Sequence, residues 1–110
     1  MSARWLSVEL EAALVRALAQ EWKNLNWSHF RERLSEPSFE LLDVMGDLGR
    51  WRHDQRVIQI ARKLVAEHSW GVVVEVLKHE MAHQYVHEAL GILDESAHGP
   101  AFKDVCAQLG

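Results

Sequence analysis

His79-Glu80-Met81-Ala82-His83 is the stretch on which the reading of this chain turns. It is an H-E-x-x-H pentad, and its apolar surroundings place it in the middle of a helix from about Trp70 to Leu90. Two histidines four residues apart stand on one face of a helix, about one turn from each other. Imidazoles so placed can share one metal ion. Glu80 is displaced about 100° around the axis from His79. It can therefore sit beside an ion without ligating it, where a general base is useful. A five-residue pattern can arise by chance in a chain with seven histidines, so the surroundings have to decide.

Those surroundings favour a buried helix. Ser69 is a suitable N-cap. Val72-Val73-Val74 is a local conflict, because β-branched runs favour strand. From Trp70 to Leu90, however, apolar residues circle the axis almost completely, the pattern of a helix sandwiched between layers.

A catalytic zinc site usually has three protein ligands and an open fourth position. His87 continues the four-residue spacing, but it lies about 12 Å along the axis from His79. Zinc–nitrogen bonds of about 2 Å cannot bridge that distance, so His87 reads as a surface or supporting residue. A glycine at 86 and a histidine at 89 would extend the pentad to the metzincin pattern. Val86 and Ala89 stand there instead. Chain reversal is needed, and Gly91 is a plausible helix stop. His98 then lies at the threshold of another helix, with Pro100 suited to its first position. Phe102, Val105, Cys106 and Leu109 form its apolar face. His98 is the preferred third ligand, with Asp94 and Glu95 as rivals.

Upstream, Leu10, Leu14, Leu18, Trp22 and Leu25 mark an amphipathic helix from about Ser7 to Leu25. Asn24 and Asn26 weaken its end, and a short helical turn is expected over Trp27 to Leu34, with Phe30 and Leu34 inward. Glu36-Pro37 breaks the helical pattern. Phe39 to Val44, Leu48 to His53 and Arg56 to Ile60 read as three strands, the last two joined at Asp54-Gln55. In the third, Ile58 and Ile60 point to one face, Val57 and Gln59 to the other. Ala61 to Glu67 reads as a short helix. Arg50, Arg52, Arg56, Arg62 and Lys63 cluster around Trp51. Arg50, Trp51 and Arg52 are candidate DNA contacts, since cations position phosphates and an aromatic ring can stack a base. The competing reading is a solvated strand face with a half-buried tryptophan.

Composition bounds the function. The 110 residues suit one domain, with residues 1–34 helical, 35–60 a small sheet, and 69–110 the metal-binding helix, loop and closing helix. A net charge of −4 gives no general pull towards nucleic acid or anionic membrane. Cys106 is the one cysteine, so neither an internal disulfide nor a four-cysteine zinc ribbon is encoded in these residues. The lone thiol suits a reducing compartment, and the expected location is cytoplasmic, or nuclear in a eukaryotic cell. No apolar run reaches the length of a membrane span.

The pentad, the gap of fifteen positions from His83 to His98, and His98-Gly99-Pro100-Ala101-Phe102 together resemble the SprT-like domain. This is the metallopeptidase domain of SprT proteins and of the Spartan DNA–protein crosslink proteases. The resemblance covers roughly Leu34 to Leu109. It implies an α+β, minimal zincin-like fold: N-terminal helices, a sheet of about three strands, an active-site helix and a closing helix. It also implies that His79, His83 and His98 bind one zinc ion and that Glu80 is the catalytic acid/base. The expected activity is zinc-dependent endopeptidase action on protein substrates, with DNA-associated or DNA-crosslinked proteins as one class and weak DNA binding as its companion. Zinc would polarise the scissile carbonyl and lower the pKa of its water towards about 7. Tyr85, His53 and Arg52 are the candidates for stabilising the oxyanion. One alternative is a protein- or DNA-binding module whose zinc is structural. Another is a zinc hydrolase acting on non-peptide substrates.

Overall fold

The computed structural model describes residues 7–43, 46–94 and 96–109. The fold is α+β. Helix α1 (Val8–His29) precedes strands β1 (Ser38–Leu42), β2 (Gly49–Arg52) and β3 (Val57–Ala61), a short α2 (Arg62–Glu67), the long α3 (Trp70–Glu88) and α4 (Pro100–Leu109). Among the described residues no helix is long and apolar enough to cross a membrane.

Helix α1 is capped by the Ser7 side chain, which accepts from the Leu10 N–H at 3.0 Å. Its inner face carries Leu18, Trp22 and Leu25, all buried. The helix runs four residues past the expected stop at Leu25. Asn26 does not weaken it, because its side chain is turned to another task. The Asn26 Oδ1 accepts from the Leu34 N–H at 3.2 Å, and its Nδ2 donates to the Leu34 carbonyl at 2.9 Å. That satisfies a buried peptide group that would otherwise lose its hydrogen bonds. The separate helical turn expected over Trp27 to Leu34 is absent. Trp27 to His29 belong to α1, and the chain reverses through Arg31 and Glu32 at φ 54° and 57°. Phe30 and Leu34 are buried as expected.

The sheet has the order β1-β3-β2. β1 runs parallel to β3, from Ser38 opposite Val57 to Leu42 opposite Ala61. β2 runs antiparallel to β3, from Gly49 opposite Ile60 to Arg52 opposite Val57. β3 is therefore central, and all five of its residues are buried. The alternation of Ile58 and Ile60 against Val57 and Gln59 does not separate core from solvent, because both faces are covered. Gln59 keeps its amide satisfied by donating to Glu40 Oε1 at 2.9 Å. β1 stops at Leu42, short of the expected end at Val44, which lies outside the described residues. Arg56 is not in the strand: its φ of 50° belongs to the hairpin connection, which takes in four residues, His53 to Arg56, and not Asp54-Gln55 alone.

Helix α3 is capped by Ser69, whose Oγ accepts from the Val72 N–H at 3.4 Å. The Val72-Val73-Val74 run stays helical. The propensity cost is roughly half a kcal/mol per valine, whereas fully burying one valine is worth about 1.5–3 kcal/mol, and Val73 is 1% exposed. Gln84, fully buried on α3, joins three segments. Its Oε1 accepts from Trp22 Nε1–H at 3.1 Å, and its Nε2 donates to the Ser35 carbonyl and to Glu88. Arg56 closes this network by pairing with Glu88 and donating to the Ser35 carbonyl. Gly91, at φ 67°, ends the helical region as its sequence position suggested. The chain then returns to α4, which buries Phe102 and Val105.

Candidate metal centre

His79 and His83 face one way from α3, their ring centroids 5.1 Å apart. The third histidine comes from the turn before α4, where the Gly99 N–H donates to the Ser96 carbonyl at 3.0 Å. This turn sets the His98 ring 5.5 Å from that of His79 and 5.1 Å from that of His83. One ring nitrogen from each histidine lies within 4.8 Å of the other two. Phe102 forms the floor. Its ring stacks on His83 at 4.1 Å and 15°, and lies 5.0 Å from His79 and 4.9 Å from His98. Pro100 suits the first position of α4, and Phe102 follows two residues later in its first turn.

The donor set fits a metal ion. Three imidazoles supply the nitrogens of a three-histidine site, and all three border one cavity. Ligation needs neutral imidazole, and the site favours that form. Burial, followed by the charges of His79, His98 and His87, pushes the His83 pKa down to about 4. Burial and His98 lower that of His79. Asp94 is exposed and does not join the group. Glu95, the other rival, lies outside the described residues.

Glu80 is 6% exposed and borders the same cavity of about 760 Å³ as the three histidines. Its Oε1 accepts from the Trp51 main-chain N–H at 3.0 Å. Burial raises its pKa to about 7, the Trp51 hydrogen bond opposing the shift, with Asp47 adding to it and Arg50 countering. The approach of β2 to α3 depends on Gly49. A Cβ there would stand 2.8 Å from Val76 Cγ1 and 3.3 Å from Glu80 Cγ.

The other expected residues divide. Tyr85 points away from the cavity: its hydroxyl accepts from Arg33 Nη1 at 2.8 Å and its ring packs on Phe30. Arg52 pairs with Asp54 at 3.5 Å and does not border the cavity. Neither is placed to stabilise an oxyanion. His53 packs its ring edge-on against His87 at 5.0 Å. His87, read as a surface or supporting residue, is part of the cavity wall. Its Nδ1 accepts from Trp51 Nε1–H at 2.9 Å. Burial first, then His53, lowers its pKa against the pull of Glu88. The four-residue spacing of His79, His83 and His87 is the sequence signal that could have placed it there.

The arginines of the basic stretch have acidic partners. Arg50 pairs with Asp47 at 3.2 Å, Arg56 with Glu88, and Arg62 with both Glu11 and Asp43. Trp51 is 7% exposed, so its indole presents no stacking surface to a base. Trp51 is more deeply buried than either sequence reading expected, while Arg50 beside it is exposed.

No curated protein and no solved structure matches the chain. The model of the SprT-like family matches residues 17–110. It begins inside α1, well upstream of the Leu34 from which the motifs suggested the resemblance. This family is associated with metallopeptidase-like proteins. Because the match takes in the core-facing half of α1, the sheet, the pentad helix, His98 and the closing helix together, the chain belongs to the SprT-like family.

Proposed function

We propose that this protein is a zinc-dependent metalloendopeptidase in which His79, His83 and His98 hold the ion and Glu80 is the general base. The observation that carries the reading is the convergence of three imidazoles and one buried carboxylate on a single open cavity. A structural zinc site has no use for such a carboxylate, which favours the hydrolase over the binding module. Bound zinc would supply Lewis acidity towards a carbonyl oxygen and a water.

The chain's own residues do the rest. Trp51 holds Glu80 Oε1 through its main-chain N–H, which fixes the plane of the carboxylate and leaves Oε2 to take a proton. A carboxyl with a pKa of about 7 can accept a proton at neutral pH and return it, which is what a group serving first as base and then as acid requires. Phe102 keeps water from the back of the histidines, since it is buried beneath all three rings.

The test is cleavage of casein by the zinc-loaded chain, with and without single-stranded DNA, beside the Glu80→Gln variant. The variant should keep its zinc and fold and lose about 10²–10⁴-fold in turnover. Equal rates for variant and parent, or cleavage indifferent to zinc removal, would overturn the reading.

A further inference from the structure

Trp51 makes two hydrogen bonds into the cavity wall. Its main-chain N–H holds Glu80, and its indole N–H holds His87. The indole nitrogen can only donate. His87 Nδ1 must therefore be the unprotonated, accepting nitrogen, and the proton of the neutral ring sits on Nε2. This excludes His87, with or without its neighbour His53, as a ligand through Nε2 while the bond to Trp51 stands. A metal on Nε2 would move the ring proton to Nδ1, where it would meet the indole N–H head-on. What remains is a neutral hydrogen-bond donor on a ring that borders the cavity, held from behind by a buried side chain.

His87 lies one turn beyond His83 on α3, a rise of about 6 Å. An extended peptide advances about 3.3 Å per residue, so one turn of helix spans about two residues of substrate. Each peptide unit offers one carbonyl acceptor. Resting on the peptidase reading above, we infer that His87 Nε2–H donates to a main-chain carbonyl of the bound peptide about two residues from the bond that is cut. His87 is then a substrate-binding residue, and Trp51 is the positioning residue that sets its tautomer.

Such a contact is made equally in the ground state and the transition state, so its loss appears in KM and not in kcat. The experiment uses the zinc-loaded chain and an internally quenched peptide built on the casein site that is cut fastest. His87→Ala should raise KM about 10-fold, the worth of one hydrogen bond, with kcat nearly unchanged. His87→Gln, which retains an N–H donor and an acceptor for Trp51, should recover part of the loss and guards against a folding defect. In Trp51→Phe the ring is free to choose its tautomer, and KM should rise by a smaller factor. Long-range proton–nitrogen NMR should show an unprotonated Nδ1 on His87 in the parent and mixed tautomers in Trp51→Phe.

Binding of the labelled peptide to Glu80→Gln, followed by fluorescence anisotropy, separates this inference from the one beneath it. Adding His87→Ala should weaken that binding about 10-fold. Reducing one peptide carbonyl to methylene, about two residues from the cut, should cost affinity in Glu80→Gln and nothing further in the double variant. A fall in kcat at constant KM, a protonated Nδ1 in the parent, or peptide binding indifferent to His87→Ala would overturn the assignment. If the parent cuts no casein, the peptidase reading falls by itself, and binding of labelled casein to the parent, weakened by His87→Ala, would leave the contact standing.

Discussion

Gly49→Ala is the most informative single change. Without neighbours, alanine in a strand interior would be favoured over glycine by roughly 0.5–1 kcal/mol. Here the added methyl would stand 2.8 Å from Val76 Cγ1, 3.3 Å from Glu80 Cγ and 3.4 Å from Ile60 Cδ1, against a comfortable carbon–carbon separation of about 3.5–4.0 Å. Val76 is β-branched and helical, so its χ1 has one strongly preferred rotamer and cannot swing aside. Overpacking of this kind costs about 1–3 kcal/mol. At roughly 4 °C per kcal/mol for a chain of this length, the melting temperature should fall by about 4–12 °C. The strand can relieve the clash only by backing away from α3, which lengthens the 3.0 Å bond from Trp51 to Glu80, so casein cleavage should fall as well. Val76→Ala removes the offending Cγ1. The double variant should therefore be more stable than the sum of the singles by about 0.5–3 kcal/mol. Urea titrations of the four proteins measure this cycle. A neutral or stabilising Gly49→Ala, or strict additivity with Val76→Ala, would refute the close-approach argument.

Further outcomes are expected of other residues. His98→Ala should strip most of the zinc from the purified chain, while His87→Ala should leave it in place, as read by metal analysis with mass spectrometry; the opposite pattern would mean that the ligands are misassigned. The hydrogen bond from Arg62 holds the Glu11 pKa below its ordinary value of 4.5, against burial and Asp43. A depressed carboxyl stabilises the fold above the unfolded-state pKa and loses that contribution as the pH falls through the folded value. Glu11→Gln should thus cost stability at neutral pH and flatten its decline below about pH 4.5, as followed by melts across that window; a parallel decline in both proteins would contradict it. Duplex DNA binding should be weak and lost by moderate salt, since each phosphate neutralised adds about one unit to the salt slope and the arginines already have acidic partners. Anisotropy titrations of the parent and of Arg50→Glu with Arg52→Glu decide this, with tight, salt-resistant binding as the contrary result.

Local periodicity made much of this molecule legible. The inward face of α1 follows from spacing, the pentad lies on a helix as expected, and Ser69 caps where capping chemistry puts it. The convergence of His98 on the pentad was legible because Gly91 and Pro100 bracket a reversal. The misses have one physical origin, which is dependence on a distant partner. Asn26 looks like a helix breaker until Leu34 is seen to need its amide. Gln59 looks like a solvent-facing residue until Glu40, its partner on β1, is seen to accept from its amide. Arg50 and Arg52 look like free cations until Asp47 and Asp54 fold beside them. His87 looks peripheral because the residue that orients it, Trp51, lies 36 positions earlier.

The sheet order carries a consequence for how the molecule divides its labour along the chain. Among the described residues, all that border the cavity lie between Asp47 and His98, and the hydrogen bonds that close it span 29 positions from Trp51 to Glu80 and 36 from Trp51 to His87. The long closure, 62 positions from Trp22 to Gln84, belongs to α1, which lends the cavity no side chain. Closing a longer loop costs more chain entropy, and here that larger cost falls on the element that only covers the core. The part of the protein that bears the cavity closes over shorter spans than the N-terminal helix, which is its roof.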